Sequence, residues 1–230
     1  MNPKFKRLNV TREALAGIVK DNLKGQRLKM AEVGVFYGYF MDKYYPVLQD
    51  VTDEFHLVDL WDTMGNDDYH SAQAKKIKDA YERVQTLYGS KDNVFMHKGS
   101  STEMAEKFED ESLDYVYIDA DHRYQGVLAD IKAWYPKVKS GGFICGHDTY
   151  PSPGHERAHD AEEWGVAKAV EEFFGDEIEN IFLTAEPHFM SWVYRKDWYG
   201  RTWSLYPVSW ELDSWYWRID RASWWAPHTL

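Results

Sequence analysis

The chain has 230 residues and a formal net charge of −11, with 44% hydrophobic and 28% charged residues. This composition excludes a disordered chain and opposes nucleic-acid binding, which wants a basic face. Cys145 is the only cysteine, which rules out an intrachain disulfide framework and a Cys-rich zinc site.

No apolar run approaches the ~20 residues that span a bilayer, and Met1 to Glu13 lacks an apolar signal core, so no membrane partner is expected and the cytoplasm is the expected compartment. Short apolar runs alternate with longer amphipathic segments, the pattern of βαβ units on a largely parallel sheet. Thr11 to Lys24 places Leu15, Ile18, Val19 and Leu23 on one helical face, with Thr11 as N-cap and Gly25 as stop. Lys29–Phe36 reads as the first strand, and Gly38 opens a short helix that Pro46 is expected to end. Phe55–Leu60 is the second strand, Asp67–Tyr88 a long polar helix, and Val94–His97 a short third strand. Ser100-Ser101-Thr102-Glu103 carries the Ser-x-x-Glu spacing of a capping box, with Glu103 reaching back.

Leu113–Asp119 is the strongest strand, rich in β-branched and aromatic residues. A helix from Tyr124 to Val138 follows, broken or bent near Pro136. Phe143–Gly146 is a fifth strand ending at His147-Asp148, and Thr149–His159 a loop holding His155 and His159. Ala161–Phe174 is a helix, and Ile178–Thr184 with Phe189–Tyr194 a final antiparallel pair. The expected division is residues 1–196 as one domain and 197–230 as an aromatic-rich extension.

Ligands of open α/β sheets bind outside the carboxyl ends of the strands, where strand order reverses. The first such end, Glu32-Val-Gly34-Val-Phe36-Tyr37-Gly38, has small residues that let a ligand approach, and Glu32 could attract a cationic amine. Phe36 stands where the second glycine of a dinucleotide fingerprint would fall, which argues against a pyrophosphate. Asp59 ends the second strand and could accept both hydroxyls of a ribose. Gly99-Ser100-Ser101 could line an adenine, although capping explains Ser100 without a ligand. The fourth and fifth ends contribute Asp119, Asp121, His122, His147 and Asp148.

The segment YIDADHRYQGVLADIKAWYPKVKSGGFICGHD resembles the strand–helix–strand core of class I S-adenosylmethionine-dependent methyltransferases. It is most similar to methyltransferase family 24, which includes O-methyltransferases of small molecules and sugars, with Ala120 where that pattern has glycine. The resemblance implies a Rossmann-like class I methyltransferase fold: an α/β, mostly parallel seven-stranded sheet, antiparallel in its last strand, with helices on both faces. It implies S-adenosyl-L-methionine as cofactor, with Glu32, Gly34, Tyr37, Gly38, Asp59, Gly99, Ser100, Ser101 and Asp119 as candidate cofactor-binding residues. By analogy with metal-dependent relatives, Asp119 and Asp148 are the candidate ligands of a divalent cation, Mg²⁺ or another.

The sulfonium methyl is already electrophilic, so catalysis reduces to positioning and to making a nucleophile. A cation on the acceptor hydroxyl would lower its pKa. The related pattern often has two adjacent acids where this chain has His147-Asp148, so His147 is a further candidate ligand to a softer ion. Asp119, His122 and His147 form the candidate catalytic set, with either histidine open as general base. Asp121 reads as an N-cap or as support to the site.

Eight of the 11 tryptophans fall between Trp192 and Trp225. They could line a pocket for a sugar or aromatic hydroxyl acceptor, or pack a homo-oligomer interface. Two other readings stay open: an NAD-linked oxidoreductase or epimerase, which lacks the glycine pattern, and a non-catalytic binding protein working through the Trp-rich tail.

Overall fold

The computed structural model describes residues 5–62, 68–150, 164–186 and 189–197, with 68–73 described by backbone alone. The 197–230 extension after Asp197, His155 and His159 therefore lie outside the described residues. In chain order the elements are β1 (Lys6–Arg7), α1 (Leu15–Asn22), β2 (Leu28–Val33), α2 (Met41–Leu48), β3 (Thr52–Asp59), α3 (Asp68–Tyr88), β4 (Val94–Lys98) and α4 (Ser101–Ala105). They continue with β5 (Leu113–Ile118), α5 (Tyr124–Trp134), β6 (Val138–Gly146), α6 (Val166–Phe174), β7 (Phe182–Leu183) and β8 (Trp192–Arg195). The strands form one eight-stranded sheet in the order β1-β7-β8-β6-β5-β2-β3-β4. Only β8 runs antiparallel to both its neighbours, β6 and β7.

The sheet has one strand more than expected. Lys6–Arg7 pairs in parallel with Phe182–Leu183 at the edge. Both Lys6 and Arg7 are exposed, so no apolar alternation marked them in the sequence.

Every residue of β5 is buried, and its side chains alternate between two cores as a two-residue period requires. Val116 and Ile118 join Ile131, Trp134, Ile144, Val170 and Trp192 under α4, α5 and α6. Tyr115 and Tyr117 join Leu15, Phe40, Tyr44, Leu57 and Val84 under α1, α2 and α3.

Two local expectations change and a third holds. Pro46 lies inside α2, which runs on to Leu48. A proline there removes a single bond from a two-turn helix whose Met41, Tyr44 and Leu48 are buried. Thr11 caps only a 3₁₀ turn, Arg12–Ala14, without a side-chain bond. Pro136 does change the helix: α5 stops at Trp134 and tightens into a 3₁₀ turn at Tyr135–Lys137. Among the described residues, no helix is long and apolar enough to cross a membrane.

The chain order reverses between β2 and β5, which are neighbours in the sheet. Their carboxyl ends are joined by Asp119 N donating to Val33 O at 2.7 Å, while Gly34 N ties β2 to β3 by donating to Val58 O at 2.8 Å. A Cβ on Gly34 would lie 2.2 Å from the Asp119 carbonyl oxygen, and its φ is +87°. Only glycine satisfies both conditions.

Candidate active site

A cleft of about 790 Å³ opens at this reversal, with Glu32, Asp59, Ser101, Asp119, His122 and Asp130 on its walls. Its first wall is the turn after β2. Phe36 adopts φ +47° and leaves 46% of its surface exposed. It thus holds a left-handed conformation, which favours glycine, while presenting a ring. Asp59 sustains this turn: its Oδ2 accepts from Phe36 N and its Oδ1 from Trp61 N, each at 2.8 Å, while Trp61 Nε1 donates to Phe36 O at 3.0 Å. Each carboxylate oxygen of Asp59 keeps a second lone pair for a ligand hydroxyl.

Glu32 is buried on the cleft floor. Burial, with Asp119 and Asp59 nearby, pushes its pKa well above the usual carboxylate range, and Arg12 opposes the shift. Arg12 reaches the same wall from the N-terminal 3₁₀ turn, its NH1 3.4 Å from Asp119 Oδ2 and its guanidinium 5.5 Å from the centre of the Phe40 ring.

Asp119 joins two parts of the site. Its Oδ2 faces Arg12, whereas its Oδ1 lies 3.5 Å from His122 Nε2 and 3.8 Å from His147 Nδ1. Asp148 completes the cluster, with Oδ2 2.9 Å from His122 Nε2 and Oδ1 3.1 Å from His147 Nδ1. It sits at φ +61°, a left-handed conformation that aspartate tolerates better than most residues. Burial would raise the Asp148 carboxyl, but the two imidazoles hold it well below the carboxylate range. Burial would likewise lower His122, yet the two carboxylates push it up to about 10. The ring is further fixed by stacking on Trp164, 4.5 Å between centroids, whose Nε1 donates to Asp148 O at 3.0 Å.

These groups fit a divalent cation. The donor atoms of Asp119, His122 and Asp148 all lie within 4.8 Å of one another. His122 Nε2 is buried and hydrogen-bonded to neither carboxylate despite its closeness to both. An ion in the space between these three donors would satisfy that nitrogen. Two carboxylates with one imidazole suit Mn²⁺, Fe²⁺ or Zn²⁺ better than the all-oxygen shell preferred by Mg²⁺.

At the far end of the cleft, burial pushes the Asp130 carboxyl up to about 6, tempered by a hydrogen bond with Ser101. The Ser101 hydroxyl also accepts from Trp134 Nε1 at 2.9 Å. Ser100 does not form the expected capping box. Its hydroxyl donates to Glu103 Oε2 at 2.7 Å and makes no bond to the helix backbone. Asp121 is not the N-cap of α5 either; Arg123 is, and Asp121 Oδ1 accepts from Arg123 N at 2.9 Å.

Of the residues singled out in the sequence, Glu32, Gly34, Tyr37, Asp59, Ser100, Ser101, Asp119, Asp121 and His122 line the cleft. His147 and Asp148 stand beside it in contact with Asp119. Gly38 and Gly99 do not line it. Gly38 packs against Val84 of α3, and Gly99 against the Met104 side chain. Arg12, Asp130 and Trp164 were not singled out. Asp130 carried a signal, an acid on the buried Val127–Ile131–Trp134 stripe of α5; Arg12 and Trp164 carried none.

Residues 31–149, more than half of the chain, match the family model described as a methyltransferase domain, methyltransferase family 24. A stretch of 129 residues is 28% identical to the uncharacterized protein y4gI of Sinorhizobium fredii. It covers 53% of this chain and 13% of that protein, so the chain spans a small part of the curated relative's length. An O-methyltransferase family protein from Burkholderia thailandensis superposes with TM-score 0.52 at 10% identity, over 80% of this chain and 55% of that one. The trans-methyltransferase CalH, in complex with S-adenosylhomocysteine, gives TM-score 0.50 at 12% identity, over 80% and 57%. A protein of Corynebacterium glutamicum gives 0.50 at 15% identity, over 82% and 83%. At these identities the structural likeness is one of fold. By its sequence match over the core of the sheet and both walls of the cleft, this chain belongs to methyltransferase family 24.

Proposed function

We propose that the chain transfers the methyl group of S-adenosylmethionine to the oxygen of a small hydroxylated acceptor, a sugar or an aromatic hydroxyl, with a divalent cation at Asp119, His122 and Asp148. One observation carries this reading. A cleft with acids along its length ends, at Asp119, in a compact cluster of carboxylates and imidazoles. The acids suit a ligand bearing a sulfonium and an ammonium. The cluster suits an oxygen that must lose a proton.

The remaining lone pairs of Asp59 receive the ribose hydroxyls. Glu32 faces the ammonium. The Ser101 and Asp130 end takes the adenine. Bound in this order, the methyl group is directed toward Asp119. A cation held there would polarise the acceptor hydroxyl and lower its pKa. With His122 between the two carboxylates, His147 is the imidazole left to take the proton, oriented through Nδ1 by Asp148. The new C–O bond forms as the S–CH₃ bond breaks; the electron pair stays on sulfur and the acceptor proton goes to His147. Membership of a methyltransferase family supports this reading over nicotinamide chemistry.

Isothermal titration of S-adenosylhomocysteine is expected to give a measurable affinity that Asp59→Ala weakens by roughly 10–100-fold, the loss of charge-assisted hydrogen bonds. No heat and no thermal shift at millimolar ligand overturns the cofactor. For the cation, chelation is expected to abolish methyl transfer and Mn²⁺ to restore it, with no restoration in Asp148→Ala. Full activity after chelation removes the metal role.

A further inference from the structure

We propose that Arg12 receives the carboxylate of the methyl donor's amino-acid end, an assignment that rests on the cofactor reading above. Arg12 precedes the family-matched residues 31–149, so it belongs to this chain's own N-terminal segment. The amino-acid end is a zwitterion, and its receptor needs a cation and an anion within a few ångströms. Arg12 and Glu32 line the same wall and interact electrostatically, the first for the carboxylate and the second for the ammonium, with Arg12 NH1 3.4 Å from Asp119 Oδ2.

That contact is long and made by one nitrogen, where a committed guanidinium–carboxylate pair is about 2.7–2.9 Å and often bidentate. A guanidinium offers five N–H donors. Among the described residues, Asp119 and the Tyr117 hydroxyl are the side chains that engage Arg12 as acceptors. Donors are therefore left for a second anion, and the Phe40 ring beneath holds the plane in place.

Electrostatics makes the position necessary. Asp59 and Asp119 would repel a ligand carboxylate along this wall unless one cation offset them. The other cationic candidates on the described lining are engaged elsewhere. Arg123 forks onto Asp121 at 2.7 and 3.0 Å, and His122 lies between Asp119 and Asp148.

The competing explanation is that Arg12 only neutralises Asp119 and anchors the N-terminal turn. Ligand truncation separates the two. S-adenosylhomocysteine, its decarboxylated analogue and 5′-methylthioadenosine would be titrated calorimetrically against the full chain, Arg12→Met and Arg12→Lys. The wild type is expected to prefer the carboxylate-bearing ligand over the decarboxylated one by at least 30-fold. Arg12→Met should remove that preference and leave 5′-methylthioadenosine within about threefold; Arg12→Lys should recover part of it. Equal loss for all three ligands, or no loss, overturns the proposal. If Arg12→Met does not fold, the wild type still decides. Equal binding of the carboxylated and decarboxylated ligands leaves the carboxylate without a receptor and sinks the Arg12 assignment alone. A wild type that binds none of the three sinks the cofactor reading with it.

Discussion

Asp130 shares its helical stripe with Val127, Ile131 and Trp134 and is buried with them, so its effect on stability depends on its proton. Its pKa rises from 3.8 to about 6 in the folded state, through burial. Below its unfolded value both states carry the proton and the group is neutral in effect; as pH climbs through the folded value, the native state must bury a charge, and stability falls. At about 1.36 kcal/mol per pKa unit, the full penalty above that range is about 3 kcal/mol. Asp130→Asn should therefore raise the unfolding free energy by up to about 3 kcal/mol at pH 8 and by only about 0.5 kcal/mol at pH 4. Urea titrations at the two pH values check this, and an equal gain at both contradicts the burial argument. The cluster at Asp119 differs in kind: there each carboxylate has imidazole or guanidinium neighbours. The family resemblance marks Asp119 and Asp148 as ion ligands and offers His147, not His122, as the further one. In the structure His122 completes the three-donor set, its Nε2 lying closer to both carboxylates than His147 Nδ1 does, a proximity that no spacing encodes.

The N-terminus of α6 and the start of α5 meet at a glycine. Gly165 N donates to His122 O at 2.7 Å, and a Cβ added at Gly165 would lie 2.3 Å from Tyr124 N. This close approach sets Trp164 on the His122 ring. Gly165→Ala is expected to push the two helices apart, costing about 1–3 kcal/mol by overpacking. It should also release the stack, shifting the imidazole resonances of His122; urea unfolding and NMR read the two effects. Strand β8 shows the same dependence on a missing side chain. A Cβ on Gly146 would fall 2.5 Å from Trp192 Nε1, and Trp192 is among the largest fully buried side chains. Trp192→Ala should cost about 3–5 kcal/mol, measured by the same titration. The strands themselves were legible, because apolar runs of this length have few other uses. Gly38 and Gly99, expected beside the ligand, lie off the cleft lining and close to Val84 and Met104: the sequence shows that a side chain is absent, and only the fold shows what stands next to the space.

At the scale of the whole molecule, the described residues form two cores on opposite faces of one sheet. The cleft draws on β2, β3, β5, α5 and the N-terminal turn together, so a ligand there binds the folded state alone. S-adenosylhomocysteine at a hundred times its Kd should add about 2.7 kcal/mol. For a chain of this size that raises the Tm by roughly 5–10 °C. Differential scanning fluorimetry measures the shift, which Asp59→Ala should diminish at the same ligand concentration. The order of elements, the acids at the strand ends and the family were determined by the sequence alone, because apolar periodicity and a dense local motif are properties of neighbouring residues. The edge strand at Lys6–Arg7, the arrival of Arg12 beside Asp119, the stacking of Trp164 on His122 and the emptiness required at Gly34 were decided by tertiary structure. Each is a contact between segments far apart in the chain, and chain order does not record how distant segments meet.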